Sequence, residues 1–278
     1  MKIGNKPIRV LIDIITLIVV GVLFIVPFIF IFLMASKPQD EAALFEFSLP
    51  SKFLLFENIW EVIQFRDYRI LLALWNSTVL TVGSVIFIVI LAAGVAFVIQ
   101  RRNDRIANIV SALMLTGLII PPAVVPTVLL LQEIGLYKNI FGLMCVMVSI
   151  QLPFAVLILR AFMASIPREI DEAAIIDGAS AWQLFMLIIL PLLRPAIITI
   201  VVVSAVVIYN DFTLPLYFLP GNENVTAQLT LFSFISQFSS RWDLLFANVI
   251  IITIPPLIMY IFFQKQIVAG LTSGAVKG

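Results

Sequence analysis

The sequence predicts an all-α integral membrane protein with six transmembrane helices. Three observations carry that prediction. First, 62% of the 278 residues are hydrophobic and only 12% are charged, about half the charged share of a soluble domain. Second, six apolar segments are long enough to cross about 30 Å of hydrocarbon. They run roughly over residues 8–34, 74–99, 106–131, 140–163, 184–214 and 244–263. Third, Lys and Arg divide unevenly between the two sides that six spans define. Eleven lie on the side of the termini (Lys2, Lys6, Arg9, Arg101, Arg102, Arg105, Arg160, Arg168, Arg194, Lys265, Lys277) and six on the other (Lys37, Lys52, Arg66, Arg69, Lys138, Arg241). Cytoplasmic loops are enriched in Lys and Arg, so both termini are expected in the cytoplasm.

The first segment follows Lys2, Lys6 and Arg9 and runs on through Pro27. A signal peptide has a shorter apolar region and a small-residue cleavage site, so a retained helix is expected. Residues 37–73 form the largest external piece. They mix acids with Leu44, Phe45, Phe47, Phe53, Leu54, Phe56 and Trp60, the pattern of an interfacial helix or packed loop within a single domain of residues 1–278. Prolines punctuate the later spans: Pro121, Pro122 and Pro126 in the third, Pro153 in the fourth, Pro191 and Pro195 in the fifth, Pro255 and Pro256 in the sixth. Each removes a helical hydrogen bond, and the freed carbonyl needs a neighbour or water. Kinked spans around a cavity are one reading; the general tolerance of membrane helices for proline is the other.

Composition also excludes. A net charge of +1 gives no general attraction to nucleic acid. The chain has no histidine, which removes the usual acid–base switch and the commonest metal ligand. Cys145 is the sole cysteine, so neither a disulfide framework nor a zinc site is expected, and it reads as a small apolar residue.

Between the fourth and fifth segments, over about residues 165–191, the pattern breaks. Glu169, Asp171, Glu172 and Asp177 crowd one short stretch. An ionised carboxylate at the bilayer centre costs roughly 3 kcal/mol, so this stretch lies in water. Pro167 suits the first turn of a helix, where its missing N–H costs nothing, and the acids complement the helix N-terminus. Gly178 can take the left-handed conformation that ends the helix. Ser180 with Gln183 forms a capping box for a second helix. The expectation is two short helices joined at a glycine. Ala173, Ala174, Gly178 and Ala179 would leave their surface thin enough for a partner to approach.

The spacing Glu-Ala-Ala, three residues, Gly, nine residues, Ile, one residue, Leu-Pro is filled by Glu172, Ala173, Ala174, Gly178, Ile188, Leu190 and Pro191. It resembles the cytoplasmic loop of ABC importer permeases, most closely the carbohydrate (maltose-type) branch. Asn76-Ser77 at the second span, Tyr209-Asn210-Asp211-Phe212 in the fifth and the tail 267–278 resemble further elements of that branch. The likeness covers about residues 76–278. Two departures stand out. Tyr209 replaces the usual Trp, and a Tyr-x-Leu-x-Arg ending of the second span is only faint in Phe97–Arg101. Arg101 itself, in a run with Arg102 and Arg105, reads as a topology anchor.

The resemblance implies a coupling helix between spans 4 and 5 that docks on an ATPase subunit through Glu172, Ala173, Ala174, Asp177 and Gly178. It implies a tail contact to the ATPase dimer through Gly270, Gly274 and Lys277. It also implies a second homologous permease chain, an ABC ATPase dimer, an extracellular solute-binding protein, and residence in a prokaryotic cell membrane. The substrate would be a sugar or oligosaccharide, with a path lined by Tyr209, Asn210, Asp211, Gln151 and Asn76. Planar amide, carboxylate and aromatic groups suit sugar hydroxyls and ring faces, while interhelical hydrogen bonding is the alternative for the same residues.

No stretch satisfies Gly-x4-Gly-Lys-Ser/Thr, including the tail with Gly270, Gly274 and Lys277. No cofactor is therefore expected on this chain, and ATP with Mg²⁺ would sit on the partner ATPases. No catalytic or metal residues are expected. A glycerol-3-phosphate-type solute is the nearest alternative, but phosphate would want Arg or Lys in the path, and mid-span Arg and Lys are nearly absent. An ion-coupled carrier would want intramembrane acids or inverted repeats, and an intramembrane enzyme a nucleophile or metal motif. The sequence offers neither.

Overall fold

The computed structural model describes residues 6–102, 104–221, 223–235 and 240–275, with side chains over 11–102, 104–221, 223–235 and 240–264. All regular structure among the described residues is helical. Helices α1 (Lys6–Ser36) and α2 (Gln39–Ala42) lead to α3 (Leu55–Arg101), α4 (Arg105–Ile119), α5 (Val124–Glu133) and α6 (Ile140–Met163). Next come α7 (Glu169–Ile176) and a helical run made of α8 (Ala181–Gln183), a π-helical turn (Leu184–Ile189) and α9 (Leu190–Leu192). Helices α10 (Arg194–Asn210) and α11 (Thr213–Phe218), a 3₁₀ stretch (Gln228–Phe234) and α12 (Trp242–Ala275) follow. Among the described residues four helices are long and apolar enough to cross a membrane, and up to six spans result if each of two bent pairs counts as one.

Contacts group the chain into two units, Met1–Leu71 with Thr230–Ile254, and Leu72–Leu229 with Pro255–Gly278. In the first unit α1 is strongly apolar from Ile14 to Ala35, with Asp13 just before that stretch, and is little buried; a helix of that kind belongs in hydrocarbon. Its end is held firmly. The buried Asn58 donates from Nδ2 to the Ala35 carbonyl (2.9 Å) and the Lys37 carbonyl (3.1 Å). Lys37 is buried too, and its Nζ donates to the Glu46 carbonyl (2.7 Å) and Ser48 Oγ (2.9 Å). Arg241 forks onto Glu61 (2.8 and 3.2 Å) and also reaches Asp243 (3.1 and 2.8 Å). Phe45 meets Trp242 edge-on at 4.8 Å.

Residues 37–73 thus hold a packed loop and then a helix from Leu55, and α3 is two helices joined across residues 65–68, the second of which begins a few residues before the expected 74. The helix is broken at Phe65–Tyr68, where Arg66, Asp67 and Tyr68 have left-handed backbones (φ 49°, 55° and 60°). Such residues cost about 1–2 kcal/mol each. Phe65 meets Phe234 in a tilted ring contact at 4.8 Å and carries the Arg66 guanidinium over its ring, which anchors the break.

In the second unit α6 packs against α4 and α10. Leu143, Leu159, Met163, Ile189, Leu193, Ile200 and Ile208 are buried in one apolar cluster. Helix α6 begins where Asn139 Oδ1 accepts the Phe141 N–H (2.8 Å) and spans the expected 140–163. Helix α4 is capped by Asp104, whose Oδ1 accepts the Ala107 N–H at 2.8 Å. That bond first, and Arg102 second, hold the Asp104 carboxyl below the usual carboxylate range.

The third and fifth segments are not single straight helices. Helices α4 and α5 meet at 116° across residues 120–123. Pro121 and Pro122 lack N–H donors, and Ile120 before them is extended (ψ 122°), as the residue before proline prefers. The fifth segment bends by 71° between Leu192 and Arg194. Pro191 cannot donate to the carbonyl four residues back, and the preceding turn widens so that the Leu190 N–H reaches Phe185, five residues back. Pro195 then sits in the first turn of α10, where no donor is missed. Helix α10 ends at Asn210, short of the expected 214, because Asp211 is extended (ψ 124°) and its Oδ1 accepts the Leu214 N–H (3.1 Å) that opens α11.

A β-carbon added at Gly142 would overlap the Leu136 backbone carbonyl, whereas one at Gly94 would meet open space. Gly142→Ala is expected to cost roughly 1–3 kcal/mol and to lower the thermal midpoint of the solubilised protein. Gly94→Ala is expected to leave that midpoint unchanged or raise it.

Candidate functional site

The loop after α6 builds a compact corner. Glu169, Asp171 and Glu172 occupy the first turn of α7, where the helix dipole favours them. Pro167 was expected in that turn; it precedes the cap residue Arg168 instead, and its carbonyl accepts the Ile170 N–H (3.4 Å). Gly178 has φ +86°. The Ala179 N–H bonds the Ala174 carbonyl (2.9 Å) and the Gly178 N–H bonds the Ile175 carbonyl (3.0 Å), the two bonds of a Schellman stop. Ser180 and Gln183 form the expected capping box (3.3 and 2.8 Å). The second helix is not a short separate one. It is the first turn of the run Ala181–Leu192.

The corner has two faces. Ile170 and Asp171 are half-buried and Ala174 is buried. Glu172, Ala173, Asp177 and Gly178 are exposed, together with Ile175, Ile176 (84% exposed) and Trp182 (66%). The expectation that Ala174 and Ala179 thin the outer surface is corrected. The Ala174 methyl turns inward and Ala179 is half-buried, because the i, i+3 spacing from Asp171 puts Ala174 on the inner face.

Inward, Asp171 meets the end of α3. Arg101 Nε lies 2.6 Å from Oδ2 and Nη2 3.1 Å from Oδ1. Both side chains are largely shielded, at 12% and 14% exposure. Next to Arg101, Gln100 Oε1 accepts from Arg160 Nε (3.2 Å), and Arg160 Nη1 reaches Ser111 Oγ. The reading of Arg101 as a mere topology anchor is therefore corrected. Its partner Asp171 stands in the acidic cluster, but only folding selects one acid of four.

The residues expected along the substrate path are placed differently from one another. Asn76 is buried and donates to the Val225 carbonyl (3.0 Å), while Ser77 Oγ accepts the Ala227 N–H (2.8 Å). Asn210 is exposed; its Nδ2 bonds the Val206 carbonyl (3.0 Å) and its Oδ1 accepts from Gln228 Nε2 (3.3 Å). Residues 225–228 thus tie Asn76 to Asn210. Asp211 opens α11, as described. Tyr209 is buried, with its hydroxyl unpartnered, and Gln151 is half-buried along α6. In the tail, Gly270 and Gly274 are helical within α12, and Lys277 lies outside the described residues.

Sequence reasoning missed Ile175, Ile176, Trp182 and Arg101. The signal for the first three was available: large apolar residues in a stretch that must lie in water. Among the described residues no group of three or more His, Cys, Asp or Glu is placed to hold a metal ion.

Residues 86–273 match the family described as binding-protein-dependent transport system inner membrane component. The chain is 31% identical, over 92% of its length and 93% of the relative's, to the multiple sugar-binding transport system permease protein MsmG of Streptococcus mutans. It is 28% identical, over 94% of its length and 87% of the relative's, to the diacetylchitobiose uptake system permease protein NgcG of Streptomyces coelicolor. Its fold is similar to a chain in the crystal structure of a bacterial ABC transporter involved in the import of the acidic polysaccharide alginate. That likeness has a TM-score of 0.81 at 21% identity and covers 95% of this chain and 99% of that one. The helical fold agrees with this family. The chain is a multi-pass membrane protein that belongs to the binding-protein-dependent transport system inner membrane components.

Proposed function

We propose that this chain is the permease subunit of an ATP-driven importer that carries a sugar or oligosaccharide delivered by an extracellular solute-binding protein. The observation that carries the coupling part is the outer face of the corner. Ile175, Ile176 and Trp182 are exposed beside Glu172, Ala173, Asp177 and Gly178, on an element that stands in water. Apolar groups clustered at a rigid, charged corner favour a protein partner. The partner is an ABC ATPase, two of which bind ATP and Mg²⁺ below this chain and a second, homologous permease chain. Both termini lie in the cytoplasm with the corner. Closure of the ATPases brings the corners together and switches access between the two sides of the membrane, as alternating access requires. Support for a sugar comes from the named substrates of the relatives and from the scarcity of mid-span Arg and Lys.

Copurification of an ATPase with the expressed protein tests the subunit role, and uptake of labelled sugars by cells lacking the chain tests the substrate. Truncating a central interface Trp costs about 2 kcal/mol, roughly thirtyfold in affinity; Trp182→Ala is expected to weaken ATPase association by that order. Gly178→Asp has a steric and a charge effect. The left-handed φ of +86° strains any side chain there, and the carboxylate joins an acidic surface. That variant is expected to insert normally and to lose uptake. Normal ATPase association and uptake in both variants would refute docking at this corner.

The path residues are tested by measuring assembly and uptake together for Asn210→Ala. A raised substrate requirement with intact assembly is expected. A loss of assembled complex whose survivors transport normally would assign Asn210 to holding residues 225–228 instead.

A further inference from the structure

We propose that the Arg101–Asp171 ion pair is the link that carries movement of the corner helix α7 into the second span. The proposal rests on the coupling role given above to that corner and names the residues that make it mechanical.

Helix α7 has eight residues, too few to be stable alone in water. Its inward face consists of Ile170, Asp171 and Ala174, of which only Ala174 is fully buried. The apolar attachment of α7 is confined to Ala174 in the core cluster and to contact with the π-helical turn, and its largest exposed side chains, Ile175 and Ile176, point away. The charged pair adds a directed tie to the end of α3. Arg101 Nη2 donates to Asp171 Oδ1 at 3.1 Å, and its Nε stands 2.6 Å from Oδ2 as a close ion pair without hydrogen-bond alignment. The Ile166 carbonyl, just before the corner, lies 3.5 Å from both Nη atoms. A close ion pair with one directed hydrogen bond restrains the distance between its two helices, whereas a small apolar contact can slide. Shielding at 12% and 14% exposure keeps water from substituting for either partner.

The far end of the link is equally defined. Arg101 is the last residue of α3, and its neighbour Gln100 accepts from Arg160 of α6, which also reaches Ser111 of α4. A displacement of α7 thus bears on the end of α3 through one ion pair, and on α6 and α4 through the adjoining residue. Arg101 and Asp171 are positioning residues: they touch neither ATP nor substrate.

The test uses the full complex, with ATPase and solute-binding protein, in proteoliposomes. Arg101→Gln and Asp171→Asn remove one charge each and keep most of the side-chain volume. Copurified ATPase, ATP hydrolysis and sugar uptake are measured on the same preparations. The expected result is a normal complement of ATPase with uptake per ATP hydrolysed lowered at least about tenfold. The exchanged pair, Arg101→Asp with Asp171→Arg, is expected to recover part of that ratio, which a purely additive pair of defects would not. Arg101→Lys keeps the charge but loses the directed Nη2 bond; an intermediate ratio is expected, and this variant decides the matter if the neutral ones do not assemble. An unchanged ratio in the assembled variants overturns the link. So does loss of the ATPase from the single variants with an unchanged ratio in what remains, because the pair would then only support the docking face. A wild-type complex that recruits no ATPase overturns the coupling reading itself, and the link with it.

Discussion

A backbone N–H or C=O left without a partner in hydrocarbon costs several kcal/mol, so a chain that crosses a membrane as helices must account for each one. The shape of this protein follows from where that accounting is disturbed. Helices α1 and α6 each contain one proline and remain single elements. The paired prolines at 121 and 122 remove two adjacent donors, and there α4 and α5 part at 116°. At Pro191 the turn widens into a π-helical stretch before the chain bends into α10. These two breaks lie at prolines, whereas α3 breaks at Phe65–Tyr68 without one and α12 carries Pro255 and Pro256 as a single helix; a π-helical turn marks the break at Pro191.

The corner between α6 and α10 solves the opposite problem. Three acids in its first turn suit it to water, where backbone groups can be solvated but a short helix has little reason to persist. Its order is local. Acids fill the first turn of α7, a left-handed glycine closes it with two backbone bonds, and a capping box opens the next helix two residues later. That leaves its outer side chains free for a partner, since none is needed to hold the corner together. Among the described residues its long-range ties include the ion pair of Asp171 with Arg101 and the burial of Ala174 in the apolar cluster.

Elsewhere, buried polar groups act as clips. Asn58 and Lys37 fasten the end of α1 to the external loop. Asn76 and Ser77 hold residues 225–227 against α3. Each satisfies backbone groups that the loops leave unpaired, at positions where water is excluded. The loops are thereby fixed without regular structure of their own.

The helical class, the approximate spans and the design of the corner were legible in the sequence because each depends on local chemistry. Hydropathy reports the cost of transfer to lipid, and α6 was bounded correctly because its cap, Asn139, and its apolar run are contiguous. Gly178, Ser180 and Gln183 announced the joint for the same reason: their bonds close within a few residues. Other features depended on residues far apart in the chain. The sequence could not show that α3 begins at Leu55, since that helix starts in a loop anchored by distant clips, nor how sharply the prolines bend their spans, which depends on packing around the freed carbonyls. It listed four acids in the corner without distinguishing Asp171, whose partner is seventy residues away. Local hydrogen bonds and transfer energies are written in neighbouring residues, whereas the choice of a partner across the fold is made only when tertiary packing excludes water from one pair and leaves the rest exposed.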